Sequence, residues 1–280
     1  MKTIMILKNN HNPNRFYLID ALALRWMKMG YEVVTHYGTK NLPDADIVIL
    51  HVDKTIVPDE YVECLSQYPV VLNRNTLDIS KSLISKNLVR PEKDYFGPVI
   101  IKTSANFGGV REAREKPMHQ KKKKWLRWLL KMKPNWEKID ALNPHKYPIF
   151  KNKESIPAGV WKNKNLIVEK FLPEIENGLF FLRYWIFFGE QGWAGRFGAK
   201  KPIVKFQKMV TKDEPVPIPD ELKIVRKNLG FDYGRFDFVE HNGKTVLYDV
   251  NKTLGAGGDA QQLEAYSAPL DMLASGINGF

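Results

Sequence analysis

"YGRFDFVEHNGKTVLYDVN" runs from Tyr233 to Asn251. Apolar and polar residues alternate on both sides of Asn242-Gly243, the pattern of two strands joined by a tight turn. Asp249 and Asn251 are two positions apart, so in a strand both side chains point to one face. One object for these oxygens is a hard metal ion; the plainer alternative is a strand-end turn with an Asx bond to the backbone. The register decides. A simple two-residue Asn242-Gly243 turn sets Asp237 opposite Tyr248 and leaves Asp249 on the other face. A three-residue loop or a bulge sets Asp237 opposite Asp249.

In the second register three oxygen donors share a face. Such a set suits Mg²⁺, which takes one or two carboxylates plus substrate phosphates in place of a full protein cage. Upstream, "PVIIKTSANFGGV" (Pro98 to Val110) carries Lys102 at the end of an apolar strand. An inward-facing lysine there needs an anion, and the small-residue run behind it can fold its backbone N–H groups over phosphates. No Gly-Lys-Ser/Thr follows the glycines, so this is not a Walker A loop. Lys81 and Lys86 flank a short helical segment from which either reaches a second phosphate. "NLIVEKFLPEIENG" (Asn165 to Gly178) is a strand ending in Glu169 and entering an extended segment. Its backbone over Lys170, Phe171 and Leu172 is a wall for a purine, with Glu174 or Glu176 for the ribose.

The rest of the chain frames these pieces. It has 280 residues and a single cysteine, Cys64, so it forms no intrachain disulfide and fits a reducing compartment. Cys64 reads as a buried small hydrophobe and not as a nucleophile. The apolar run before Lys8 is too short for a secretory signal. "GLFFLRYWIFFG" is broken by Arg183 and falls short of the roughly 20 residues of a membrane span. A cytoplasmic protein is expected. "TIMIL", "YEVVTHY", "ADIVILHV" and "YPVVLN" read as short strands, and "YLIDALALRWMKMG" as a helix stopped by Gly30. Together they suggest a parallel α/β unit over residues 1–75. From Asn165 long strands joined by tight turns suggest an antiparallel sheet with helices such as "DELKIVRKNLG" on one face. His11 and His51, in the first unit, read as solvated or structurally bonded.

The net charge is +12, and residues 111–146 hold twelve Lys and Arg against four acids, a local excess of +8. Within it, Trp125, Trp128, Leu129, Leu130 and Met132 among lysines make a basic amphipathic segment. It is expected to pack on its own domain as a surface helix. Docking through 121–133 on anionic lipid, which would place the protein peripherally at a membrane, is the functional alternative, followed by a polyanionic partner. Nucleic acid ranks last, because no recognised binding module accompanies the charge.

The order strand–Lys–small-residue loop, "VEKFLPE", "FLRYWIFFG", "YGRFDF" and "LYDVNKTLGAG" resembles the ATP-grasp superfamily, whose members include D-alanine–D-alanine ligase, glutathione synthetase and the ribosomal-protein glutamate ligases. The resemblance covers most of the chain from Lys81 to Gly257, apart from the basic insert. It implies an α+β fold with a small N-terminal α/β domain (1–75), a central subdomain (76–170) carrying the insert and a C-terminal catalytic subdomain (171–280). It also implies that Asp237, Asp249 and Asn251 hold Mg²⁺, that Lys102 contacts the ATP phosphates and that the backbone after Glu169 binds adenine. Arg183 matches the arginine that meets the terminal phosphate and Arg235 the one that steadies the reacting acyl group. The sequence departs from the family in having Asp249 where Glu is usual, and in a glycine loop without Ser-Gly-Gly. The expected activity is an ATP- and Mg²⁺-dependent ligase joining a small-molecule or peptide carboxylate to an amine through an acyl phosphate. The alternatives are a small-molecule kinase of the same fold, or a nucleotide-binding protein of low turnover that docks an anionic partner through its insert.

Overall fold

The computed structural model describes residues 1–9, 15–115, 134–256 and 267–280. The basic segment 121–133, His11 and the glycine tail beyond Ala256 lie outside the described residues. Among those described, no helix is long and apolar enough to cross a membrane.

The strands of the described residues form three sheets. The first is parallel, with strands β1 (Thr3–Lys8), β2 (Glu32–Tyr37), β3 (Ile47–His51) and β4 (Val70–Leu72) in the order β2-β1-β3-β4. β1 and β3 are continuous apolar runs because both faces are covered. Ile4, Ile6, Ile47 and Ile49 face helix α1 (Leu18–Lys28), while Met5, Leu7, Val48 and Leu50 face Tyr61, Leu65 and Tyr68. α1 buries Leu18, Ile19, Leu22 and Trp26 on one stripe and ends before Gly30, whose φ of 92° a residue with a side chain rarely adopts. At its start the Asp20 carboxylate accepts the Tyr17 backbone N–H at 2.9 Å.

The second sheet is antiparallel and small: β5 (Val99–Thr103) lies between β6 (Ile149–Phe150) and β7 (Leu166–Lys170). The alternation that begins at Asn165 is therefore not one sheet. Its first strand turns back onto β5, and only after Lys170 does the chain enter the third sheet. That sheet has β8 (Glu174–Glu176), β9 (Leu179–Phe188), β10 (Gln191–Ala199), β11 (Glu214–Pro215), β12 (Tyr233–His241) and β13 (Lys244–Asn251). Its main path is β11-β10-β9-β12-β13, with β8 paired to β9. One face buries Trp185, Phe187, Phe236 and Phe238 with Leu222 of the helix Asp220–Asn228. The other carries Leu182, Tyr184, Phe197, Val239 and Val246.

The first sheet and the third share a core. Phe188, Tyr233, Leu254 and the helix Ser267–Ser275 complete the cluster begun by α1 and β1. Trp26 Nε1–H donates to the Ala274 carbonyl at 2.9 Å.

A second joint is Asn73, fully buried just after β4. Its Oδ1 accepts the N–H groups of Asp232 and Tyr233 at 2.9 and 3.1 Å, its Nδ2 donates to the Tyr233 carbonyl at 2.9 Å, and its backbone sits at φ 59°. Asparagine tolerates that conformation better than other residues with a Cβ. Asn73→Ala is expected to lower the unfolding free energy by about 2–4 kcal/mol, through three lost bonds and a disfavoured φ. Urea unfolding followed by tryptophan fluorescence measures it, and Asn73→Gly, which keeps only the backbone freedom, separates the two contributions.

Candidate active site

The hairpin has both features that the sequence left as alternatives. The turn is the two-residue Asn242-Gly243 loop, with His241 opposite Lys244, and the register then slips between Asp237 and Phe238. Phe238 pairs with Leu247 but Asp237 pairs with Asp249, which leaves Tyr248 as the extra residue of a β-bulge. Asp237, Asp249 and Asn251 therefore share a face, together with Arg235, which lies opposite Asn251. Arg235 Nε–H donates to Asp237 Oδ1 at 2.6 Å, with its guanidinium 4.8 Å from the Tyr184 ring centroid. Asp249 Oδ1 takes Lys81 Nζ at 2.9 Å and the Val250 N–H at 3.1 Å. Oδ2 of each carboxylate has no hydrogen-bond partner among the described residues.

This face forms one side of a cleft enclosing about 730 Å³ of non-protein space, part of it open to solvent. β5 and the segment after β7 form the other side, and residues 202–205 and Tyr147 complete the lining. Lys102 faces into it, as expected of an inward lysine, but its anion is internal: Glu169 Oε2 lies 2.6 Å away, and both residues are buried. The Lys102 ammonium also lies 5.1 Å from the ring centroid of Tyr248, the bulged residue, whose hydroxyl donates to the Leu172 carbonyl at 2.6 Å. Lys81 is 2% exposed and reaches Asn106 Oδ1 at 2.8 Å as well as Asp249. Lys86 stays on the surface.

At the purine wall, Lys170 and Phe171 have their N–H groups taken up by the carbonyls of Asn87 and Pro98, each at 2.8 Å. Phe171 therefore contributes its ring and backbone shape to the wall, and its N–H is spent. The polar edge left there consists of the Leu172 N–H and the Lys170 carbonyl. Asn106–Gly109, the small-residue loop, is a tight turn with Phe107, Gly108 and Gly109 all at positive φ. A Cβ on Gly108 would lie 2.1 Å from the Leu142 carbonyl oxygen, so only glycine fits.

Three expected residues are elsewhere. Arg183 pairs in register with Phe238, on the opposite face of the sheet from Asp237, because side chains alternate along β9. It is held there by Glu174 at 2.9 Å and Glu240 at 2.9 Å. Glu174 is itself enclosed by Arg183 and Arg196. Burial alone would raise its carboxyl, but the arginines and the Glu240 N–H outweigh it and hold the group below the usual range. Glu176 pairs with Arg196 and does not line the cleft. Arg183, Glu174 and Glu176 form an ion cluster behind the sheet.

The structure adds residues that the sequence reading passed over. Lys205 lines the cleft; burial lowers its pKa, against the pull of Asp237 and Asp249. Asp53, two residues beyond β3, is 7% exposed and gathers Arg15, Tyr17, Arg111 and Thr253. The rule that ligands bind outside the carboxyl ends of parallel strands would have pointed to it. Beneath it His51 is 1% exposed, with both ring nitrogens unpartnered among the described residues. Burial, then Lys8, Arg15, Arg111 and Lys252, hold it neutral by lowering its pKa well below the ordinary value.

No family model matches this sequence, and no curated protein matches it. Solved structures match in fold. The ATP-grasp ligase PsnB complexed with minimal precursor is 11% identical at a TM-score of 0.52, over 99% of this chain and 100% of that one. A RiPP-associated ATP-grasp ligase from Chryseobacterium gregarium, in complex with ADP and a leader and core peptide, is 10% identical at a TM-score of 0.50. That match covers 100% of this chain and 98% of the other. The chain has the α+β ATP-grasp fold.

Lys252 follows Asn251, is 1% exposed and donates to the Thr76 carbonyl at 3.2 Å. Burial pulls its pKa down to about 7, against a smaller upward effect of Asp78. Between that value and the ordinary lysine value near 10.4 the unfolded chain holds a proton that the folded chain lacks, so stability rises with pH across this window. Below about pH 7 both states are protonated and the penalty is constant. Lys252→Met is expected to flatten the rise between pH 7 and 10, measured by urea midpoints at fixed ionic strength.

Proposed function

We propose that this protein is an ATP- and Mg²⁺-dependent ligase that joins a carboxylate to an amine through an acyl phosphate. The observation that carries this reading is the bulge at Tyr248, which sets Asp237 directly opposite Asp249 beside a cleft lined by Lys81 and Lys102. Hard oxygen donors, with one oxygen on each carboxylate unpartnered among the described residues, fit Mg²⁺, with Asn251 as the third ligand. The ion, when bound, neutralises the phosphates and the charge that builds on the transferring phosphoryl group.

The chain's own residues do the rest by positioning and electrostatics. The Leu172 N–H and Lys170 carbonyl read the adenine edge. Lys81 and Lys102, held in place by Asp249 and Glu169, present fixed ammonium groups to the phosphates. Arg235, oriented by Asp237 and the Tyr184 ring, holds the reacting carboxylate. Attack by the amine on the acyl phosphate then releases phosphate, and no serine or cysteine nucleophile is required. Arg183 and Glu176 have no part, because they lie behind the sheet. The substrates are small molecules or peptides; the C. gregarium ligase of the same fold holds ADP and a leader and core peptide.

Hydroxylamine distinguishes the ligase from a kinase of this fold. Mg-ATP, hydroxylamine and a panel of carboxylates should give hydroxamate and ADP, whereas a phosphorylated alcohol gives no hydroxamate. Asp237→Asn and Asp249→Asn should each reduce hydroxamate formation by about 10²-fold or more and weaken Mn²⁺ binding in the presence of AMP-PNP, read by electron paramagnetic resonance. Unchanged Mn²⁺ binding in both variants would remove these residues from the metal site.

A further inference from the structure

Among the described residues, two arginines share the one carboxylate of Asp53. Arg15 Nη1 lies 2.7 Å from its Oδ2, which also accepts the Tyr17 hydroxyl at 2.8 Å; Thr253 Oγ1–H and Arg111 Nη1 both reach Oδ1. Two guanidiniums thus converge on one buried carboxylate, each through a single nitrogen. The arginine side chains are 31% and 20% exposed, and each is anchored through one nitrogen on Asp53. Each is also braced by an aromatic ring: Arg15 lies 4.6 Å from the Tyr17 centroid and Arg111 5.2 Å from that of Phe107. Arg111 Nε is buried and unpartnered among the described residues. Burial, and then the neighbouring Arg15, pull the pKa of Arg111 down to about 10, against smaller upward effects of Tyr17 and Glu112. Glu112, the next acid, accepts the Thr55 N–H and hydroxyl through Oε1, and its charge supports that of Arg111.

The location is specific. Thr253 N–H donates to Asn251 Oδ1 at 2.9 Å, so two hydrogen bonds join the proposed metal face to Asp53. Arg111 opens the helix that follows the glycine turn, and Arg15 precedes α1. The cluster therefore sits at the carboxyl edge of the parallel sheet, joined through Thr253 to Asn251. In the proposed reaction the phosphates have their own cations in Lys81 and Lys102, which line the cleft.

We infer that Arg15 and Arg111 form an oxyanion subsite that binds a carboxylate carried by the amine substrate, with Asp53 as the residue that positions both guanidiniums. This rests on the ligase reading. A planar pair of oxygens matches guanidinium forks better than an ammonium does. The amine substrate would then be an amino acid or a peptide with a free carboxylate.

The test uses the whole protein, with and without Mg-AMP-PNP, and saturation-transfer NMR on a panel of free amino acids and dipeptides beside their C-terminal amides. Free acids should bind and the matching amides should bind at least tenfold more weakly. Arg15→Gln and Arg111→Gln should each erase that difference, and Arg111→Lys should restore only part of it, while AMP-PNP affinity stays at the wild-type value. Arg15→Gln, on the more exposed residue, keeps the test valid if Arg111→Gln unfolds. Equal binding of acids and amides, no binding by any free acid, or full retention in the variants would overturn the inference. Loss of AMP-PNP affinity in the variants would instead assign the arginines to the phosphates. Failure of the wild type to bind AMP-PNP would sink the ligase reading, whereas the acid–amide comparison is scored without nucleotide.

Discussion

The one-residue slip at Tyr248 is the constraint on which the candidate site depends. With the Asn242-Gly243 turn and no bulge, Asp249 would point to the face that buries Phe236 and Phe238, away from Lys81 and from Asp237. With the bulge, the two acids face each other and the extra residue itself is put to use. The Tyr248 ring lies against Lys102 and its hydroxyl holds the Leu172 carbonyl, so one irregular residue locks the purine wall of the small sheet onto the hairpin of the large one. Bulges beside functional sites commonly re-aim side chains in this way.

Three cations at the candidate site are held by the protein itself. Lys81 lies on Asp249, Lys102 on Glu169 and Arg235 on Asp237. Buried pairs of this kind add little net stability, since desolvation offsets much of the attraction. Their effect is to fix charge positions before any ligand arrives, which removes reorganisation from the binding step. The same logic runs through the ion cluster behind the sheet, where Glu174 is gripped by two arginines and the strand β8 is thereby fastened to β9 and β10.

Much of this was legible in the sequence, and the illegible part has a common cause. Strand positions followed from short-range apolar pattern, and β1, β3 and the long hairpin lie where that pattern placed them. Partners across long separations did not follow. Glu169 as the counter-ion of Lys102 is invisible without knowing that β7 returns to β5, and the same unseen pairing made Leu166–Lys170 look like the first strand of the larger sheet. Arg183 failed on parity: motif order carries no information about which face of β9 a side chain takes, and one position separates the cleft from its back. The position of Asp53 just beyond a parallel strand was a signal, but its partners Arg15, Arg111 and Thr253 lie far apart in the chain and could not be read from it.

The sharing of one core by the first and last thirds of the chain has a consequence for how this protein is made. α1 and β1 are completed by Phe188, Tyr233, Leu254 and the helix Ser267–Ser275. Loops of more than two hundred residues must close before Trp26 finds the Ala274 carbonyl. On the ribosome the first sheet emerges before the helix Ser267–Ser275, and its apolar flank stays uncovered until that helix follows. Productive folding is thus tied to the arrival of that helix, and a chain that stops before it exposes the flank to chaperones or to aggregation.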